Sequence, residues 1–156
     1  PRLVVPRRTS DAEIESILEE KRQWLERQLS RQVPRLGLQA SGVSQAEGRR
    51  LARALVTEAA AREAAPLHVA YERIRIGNQR SLWGSCSPRG TLSFNWRLAL
   101  APLGVLEYVV VHELCHLRVP DHSRRFWRLV ERARPGFGDE RAWLREFGPE
   151  LLAYRG

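Results

Sequence analysis

The sequence predicts one α+β domain: a small antiparallel sheet packed on a central helix, with further helices on its N- and C-terminal sides. Three observations carry this reading. Two capped, helix-periodic stretches occupy the first 66 residues. A turn-punctuated stretch of alternating apolar and polar residues follows, to about Trp96. Helical spacing then returns after Ala101-Pro102 and persists almost to Gly156. A chain of 156 residues holds one domain with a real core and is too short for two ordinary ones. Residues 1–156 therefore read as a single unit, with a helical scaffold over 1–66 and the sheet plus the remaining helices over 67–156.

Ser10 and Glu13 match the S-x-x-E capping box, in which the serine hydroxyl and the glutamate carboxylate satisfy each other's backbone N–H groups. Ile14, Ile17, Leu18, Leu25 and Leu29 continue that helix until Pro34. Residues Gly37 to Gly42 read as a linker. A second capping box, Ser44 and Glu47, opens a helix with Leu51, Leu55, Val56 and Ala59 as its expected apolar stripe, stopped by Pro66. Val69, Tyr71, Ile74 and Ile76 then alternate in strand fashion, with a slip of register between Tyr71 and Ile74. Residues Gln79 to Cys86 and Thr91 to Trp96 read as extended segments joined by Ser87-Pro88-Arg89-Gly90, a turn in which proline sets φ and glycine accepts positive φ. Val105, Leu106, Val109 and Val110 place the apolar face of the next helix. Phe126, Leu129 and Val130 mark another, ending near Pro135-Gly136. Trp143, Phe147 and Leu151 mark a last one, which Pro149 is expected to kink or divide.

The apolar fraction of 43% is that of a folded globular chain rather than a disordered one. No apolar run approaches the roughly 18–20 residues of a membrane span. The sequence opens on Pro1 and contains no Met, which reads as a piece of a longer chain. Two cysteines, Cys86 and Cys115, make no CxxC pair; they point to a reducing compartment, the cytoplasm, rather than to a disulfide framework. The net charge is +8, carried by arginine with Lys21 as the one lysine. That excess admits a nucleic-acid partner, but no DNA-binding motif accompanies it, and its densest stretches fall on predicted helix faces that water can solvate.

The chemistry is concentrated in His112-Glu113-Leu114-Cys115-His116. Residues four apart on an α-helix differ by only about 40° in direction, so both imidazoles leave one face and can hold one zinc ion. Glu113 lies beside the first ligand, placed to reach a metal-bound water as general base rather than the metal itself. A catalytic zinc takes a third protein ligand and keeps one position open. His122 is the leading candidate, because Pro120 breaks the helix and lets the chain turn back; Glu131 and Glu140 are the alternatives. Three of the four histidines fall within one eleven-residue window, which argues against separate packing roles. His68, alone in an expected strand, reads as structural or surface. Asp121 is a candidate partner for an imidazole N–H, or else a turn residue. Cys115 points away from the histidine face and reads as packing. Gly84 could permit a close backbone approach or a bulge.

The segments YVVVHELCHLRVPDHSRRFW, RSLWGSC and FNWRLALAP closely resemble the bacterial YgjP-like metallopeptidase domain, a group similar to WLM and SprT-like zinc proteases. The resemblance spans about Val5 to Glu150. It implies a zincin-like, gluzincin-like minimal domain, one catalytic zinc on His112, His116 and His122, Glu113 as general base, and a polypeptide substrate. An extended substrate would pair with an exposed strand, for which Thr91 to Trp96 is the candidate. Tyr108, Asn95, Arg97 and Arg125 are candidates to contact substrate or steady a developing oxyanion. Two other functions fit the same residues: hydrolysis of a nucleotide phosphate anhydride, with arginines neutralising the anion, and a protease module recruited to nucleic acid.

Overall fold

A computed structural model describes residues 42–156. The first expected helix, with Ser10 and Glu13, and most of the Gly37–Gly42 linker lie outside the described residues. The described chain contains helix α1 (Gln45–Ala64), strands β1 (Arg73–Gly77), β2 (Gly84–Cys86) and β3 (Thr91–Asn95), a 3₁₀ turn (Trp96–Leu100), and helices α2 (Leu103–His116), α3 (Arg124–Ala133) and α4 (Gly138–Ala153). This is the α+β class.

Helix α1 starts where the capping box placed it. The Ser44 hydroxyl accepts the Glu47 N–H at 3.3 Å, and the Glu47 carboxylate accepts the Ser44 N–H at 3.1 Å. Its buried stripe is Gly48, Ala52, Val56, Ala59 and Ala60, rotated from the expected one, and Leu51 stands 46% exposed. The reason is steric. Trp96, fully buried, lies so close to Gly48 that small residues must face it. Arg62 of α1 and Arg134 both bind Glu107 of α2, at 2.7 and 3.1 Å, and Arg134 also reaches Glu140 of α4.

The sheet has the order β1-β3-β2. The expected antiparallel hairpin is β2–β3, with Gly84 opposite Phe94 and Cys86 opposite Leu92. Its turn closes through the Gly90 N–H to the Ser87 carbonyl at 2.9 Å, with Gly90 at φ +79. The third strand, β1, pairs parallel to β3, so the sheet is mixed. Residues before Arg73 are not strand, which accounts for the slip at Tyr71. His68 sits in a left-handed turn at φ 52 beyond α1. Only Gly84–Cys86 of the expected Gln79–Cys86 segment is strand, because the loop before it is pinned by the Asn95 side chain, whose amide donates to the carbonyls of Gln79 and Leu82.

Ile76, Leu92 and Phe94 turn inward, beside helix α2 with Val105, Leu106, Val110, Val111 and Leu114 in the same core. Helix α2 is apolar nearly all round, as a helix buried between layers must be. Helix α4 runs unbroken through Pro149, which forgoes one backbone donor there. Tyr154, just past it, donates its hydroxyl to the Val43 carbonyl at 3.0 Å, and its own carbonyl accepts from the Arg97 guanidinium at 2.6 Å. No described helix is long and apolar enough to cross a membrane, and Cys86 and Cys115 are both free thiols.

Candidate metal centre

His112 and His116 leave the same face of the last turns of α2, as residues four apart do. The helix ends at His116, Pro120 diverts the chain, and His122 returns before α3 begins. Its Nε2 lies 3.0 Å from that of His112 and 3.1 Å from that of His116. No other described cluster of metal-binding side chains contains three residues.

The protonation of the three rings decides whether this cluster suits a cation. The Nδ1 of His116 lies 3.1 Å from the Val119 carbonyl, which can only accept, so Nδ1 carries the hydrogen and Nε2 presents a lone pair. Burial and the neighbouring histidines, with Arg141 beyond them, press the pKa of His112 down to about 3; burial also lowers that of His116. Both rings are therefore neutral near pH 7. Bonds of 2.0–2.1 Å in a tetrahedral site put adjacent ligand atoms about 3.3 Å apart. The observed separations are close to that, and three nitrogen donors converging so tightly fit a zinc-sized cation.

Glu113 points from the adjacent face of α2 toward β2. It is 5% exposed, and among the described residues no hydrogen bond reaches its carboxylate. Burial raises its pKa to about 8. A β-carbon built on Gly84 would stand 2.5 Å from Glu113 Oε1, so the strand backbone abuts the carboxyl group. The positive-φ glycines do not include Gly84; closeness, not backbone conformation, excludes a side chain there.

The other sequence candidates divide. Tyr108, one turn before His112, is buried and meets that imidazole edge-on at 5.9 Å. Asn95 and Arg97 are buried in the scaffold instead: Asn95 caps the 3₁₀ turn and Arg97 binds Tyr154 and Asn78. Polarity beside a strand does not distinguish such a scaffold role from a site role until burial is known. Arg125 is exposed on α3. Asp121 accepts the Ser123 N–H at 3.2 Å, a turn contact rather than an imidazole one. Glu131 accepts the Gly136 N–H and Glu140 binds Arg134, so neither alternative ligand joins the cluster. Strand β3 is central, with both edges paired, and cannot be the strand that receives a substrate. Cys115 is buried, its thiol pushed up to about 12 by burial, which suits packing.

Sequence reasoning left Phe126 and Trp127 unassigned at the site. Phe126 places its ring 4.4–4.8 Å from all three imidazoles, and Trp127 stacks on His122. Their positions four and five residues after His122 on a helix were the available signal.

No functionally curated protein matches the chain. Among solved structures, the crystal structure of the metallopeptidase zymogen abylysin of Pyrococcus abyssi superposes with a TM-score of 0.52 at 24% identity, covering 60% of this chain and 92% of that one. That likeness shows a common fold. The family model of the YgjP-like metallopeptidase domain matches residues 40–147. With well over half its length matched, and the histidine cluster and sheet inside the matched segment, the chain belongs to the YgjP-like metallopeptidase family.

Proposed function

We propose that the chain is a zinc-dependent peptidase, with His112, His116 and His122 holding one ion and Glu113 acting as general base. The observation that carries the reading is the convergence of three imidazoles in a metallopeptidase domain, the His122 Nε2 lying 3.0 and 3.1 Å from those of His112 and His116. When bound, zinc supplies Lewis acidity, polarising a carbonyl and lowering the pKa of water to about 7.

The chain's own residues supply the rest. Glu113 follows His112 in sequence, and its carboxyl group lies against the Gly84 backbone of β2. With no protein donor on it, Oε1 is free to take a proton from water and return it to the departing amine. Its burial keeps the proton affinity high enough for both halves of that transfer. Substrate placement follows from the sheet order. Asn95 N–H to Trp83 O and Ser87 N–H to Thr91 O fix the bonded pairs of the hairpin, so the N–H and C=O groups of Gly84 and Cys86 turn to the outer edge of β2. An extended polypeptide pairing there would run past Glu113.

The test compares wild type and Glu113→Gln, both loaded with zinc, on a peptide library and a nucleoside triphosphate panel. Zinc affinity is expected to persist while peptide cleavage falls by about 10²–10⁴. Unchanged turnover would remove Glu113 from the mechanism. Hydrolysis confined to triphosphates would transfer the site to phosphate chemistry.

A further inference from the structure

Metal-binding histidines generally donate their second ring N–H to a carbonyl or carboxylate, which fixes the ring plane and the tautomer. Here only His116 has that arrangement, through the Val119 carbonyl. The Nδ1 of His112 is buried without a hydrogen-bond partner, and His122 is exposed, with no described protein group bonded to its Nδ1. Both rings nevertheless point their Nε2 atoms at one spot. The torsion that swings an imidazole about its own axis is broad and soft, so some other contact must hold it.

We propose that an aromatic wall replaces the missing hydrogen bonds, with Trp127 as the positioning residue of His122; the inference rests on the reading of the three histidines as metal ligands. Phe126, fully buried at the start of α3, is the floor: its ring centre lies 4.8 Å from His112, 4.4 Å from His116 and 4.8 Å from His122. Trp127 is the side wall. Its indole lies nearly parallel to the His122 ring, at 5.6 Å and 23°, and meets His112 at 5.7 Å. The indole is itself held. Phe137 stacks on it at 5.6 Å and 10°, Tyr108 stacks on Phe137 at 5.6 Å and 7°, and the Arg141 guanidinium lies 4.5 Å from the indole centre. The pile is rooted in Tyr108, buried on the same helix as His112 and His116. His122 hangs on an exposed turn, yet its ring plane is tied through three aromatic rings to the helix that carries the other two ligands.

A flat face, rather than bulk, does the orienting, and this separates the idea from ordinary packing. The experiment measures zinc affinity by chelator competition, and the visible spectrum of the cobalt-substituted protein, for wild type, Trp127→Phe and Trp127→Leu. Trp127→Phe keeps a flat ring and is expected to bind zinc within about threefold of wild type. Trp127→Leu keeps apolar bulk without a face and is expected to lose about 10–100-fold, the usual effect of removing an orienting partner, with an altered cobalt spectrum. A mere loss of fold stability would lower the melting temperature without changing the spectrum of the loaded site. Wild-type affinity in Trp127→Leu, or equal losses in both variants, would overturn the inference while leaving the metal site intact. A wild type that binds no zinc would overturn the metal-site reading itself, and this inference with it.

Discussion

Replacing Gly84 with alanine adds one methyl group in contact with the proposed base. Built on the backbone, that carbon would lie 2.5 Å from Glu113 Oε1, 2.7 Å from Cγ and 2.8 Å from Cδ. Ordinary contact needs about 3.5 Å, so the carboxyl end must retreat by about 1 Å. The backbone at Gly84 needs no positive φ, and a glutamate side chain is flexible. The fold should therefore accept the change at a cost of about 0.5–1.5 kcal/mol for a displaced rotamer. Catalysis should not. A misplacement of about 1 Å in a reacting group can cost about 100-fold, equivalent to about 2.7 kcal/mol of barrier. The expected result for Gly84→Ala is a fall of about 100-fold in kcat, unchanged zinc affinity and a near-native melting temperature. Full activity would refute the reasoning, since the base would then tolerate displacement or lie elsewhere. Zinc affinity lost in step with activity would also refute it, because the methyl group would be acting through the ligands.

Three further outcomes follow from the same geometry. Without metal, Glu113 has its folded pKa raised from 4.5 to about 8, so the wild type loses stability as pH climbs through that window. Chelator-treated Glu113→Gln should therefore match wild type near pH 4 and exceed it above pH 8, by the order of a few kcal/mol, in urea melts across pH. Gly48→Ala would put a β-carbon 2.5 Å from Trp96 Cζ3, against a fully buried ring that cannot yield. It should destabilise by about 1–3 kcal/mol although alanine is the better helix former, and a lowered urea midpoint would register it. His68 holds a left-handed conformation at φ 52, outside the metal cluster. His68→Gly should gain about 0.5–1 kcal/mol in thermal melts and leave zinc affinity unchanged.

What the sequence made legible was local and periodic. The Ser44–Glu47 capping box, the common face of His112 and His116 and the Pro120 break each depend on residues within a few positions, where helix geometry dictates the outcome. The positive φ of Gly90 follows from the turn chemistry of the four residues around it. The rest depends on encounters through space. The parallel pairing of β1 with β3 passes over β2, and no alternation within a strand encodes which neighbour it finds. The small-residue stripe of α1 is not legible locally, because nothing near Gly48 in sequence announces Trp96. Asn95 and Arg97 looked like site residues because polarity alone does not reveal that Tyr154, 57 residues beyond Arg97, would claim the guanidinium. The aromatic wall escaped for a similar reason: Phe126 and Trp127 carry the helix period of an ordinary core face, and only the returning His122 gives them another role.

The bonds made by Tyr154 separate the segment by which the family is recognised from the segment that the described fold ties together. The family match ends at residue 147, yet the hydrogen bond that fastens the entry of α1 is made by residue 154, 111 positions from Val43. The same residue seats Arg97, an arginine only 1% exposed that would otherwise keep a charge in the core with one partner fewer. A fragment trimmed to the matched boundaries would keep His112, Glu113, His116 and His122. It would lose the clasp between the two ends of the described fold, and with it the counterpart of a buried charge.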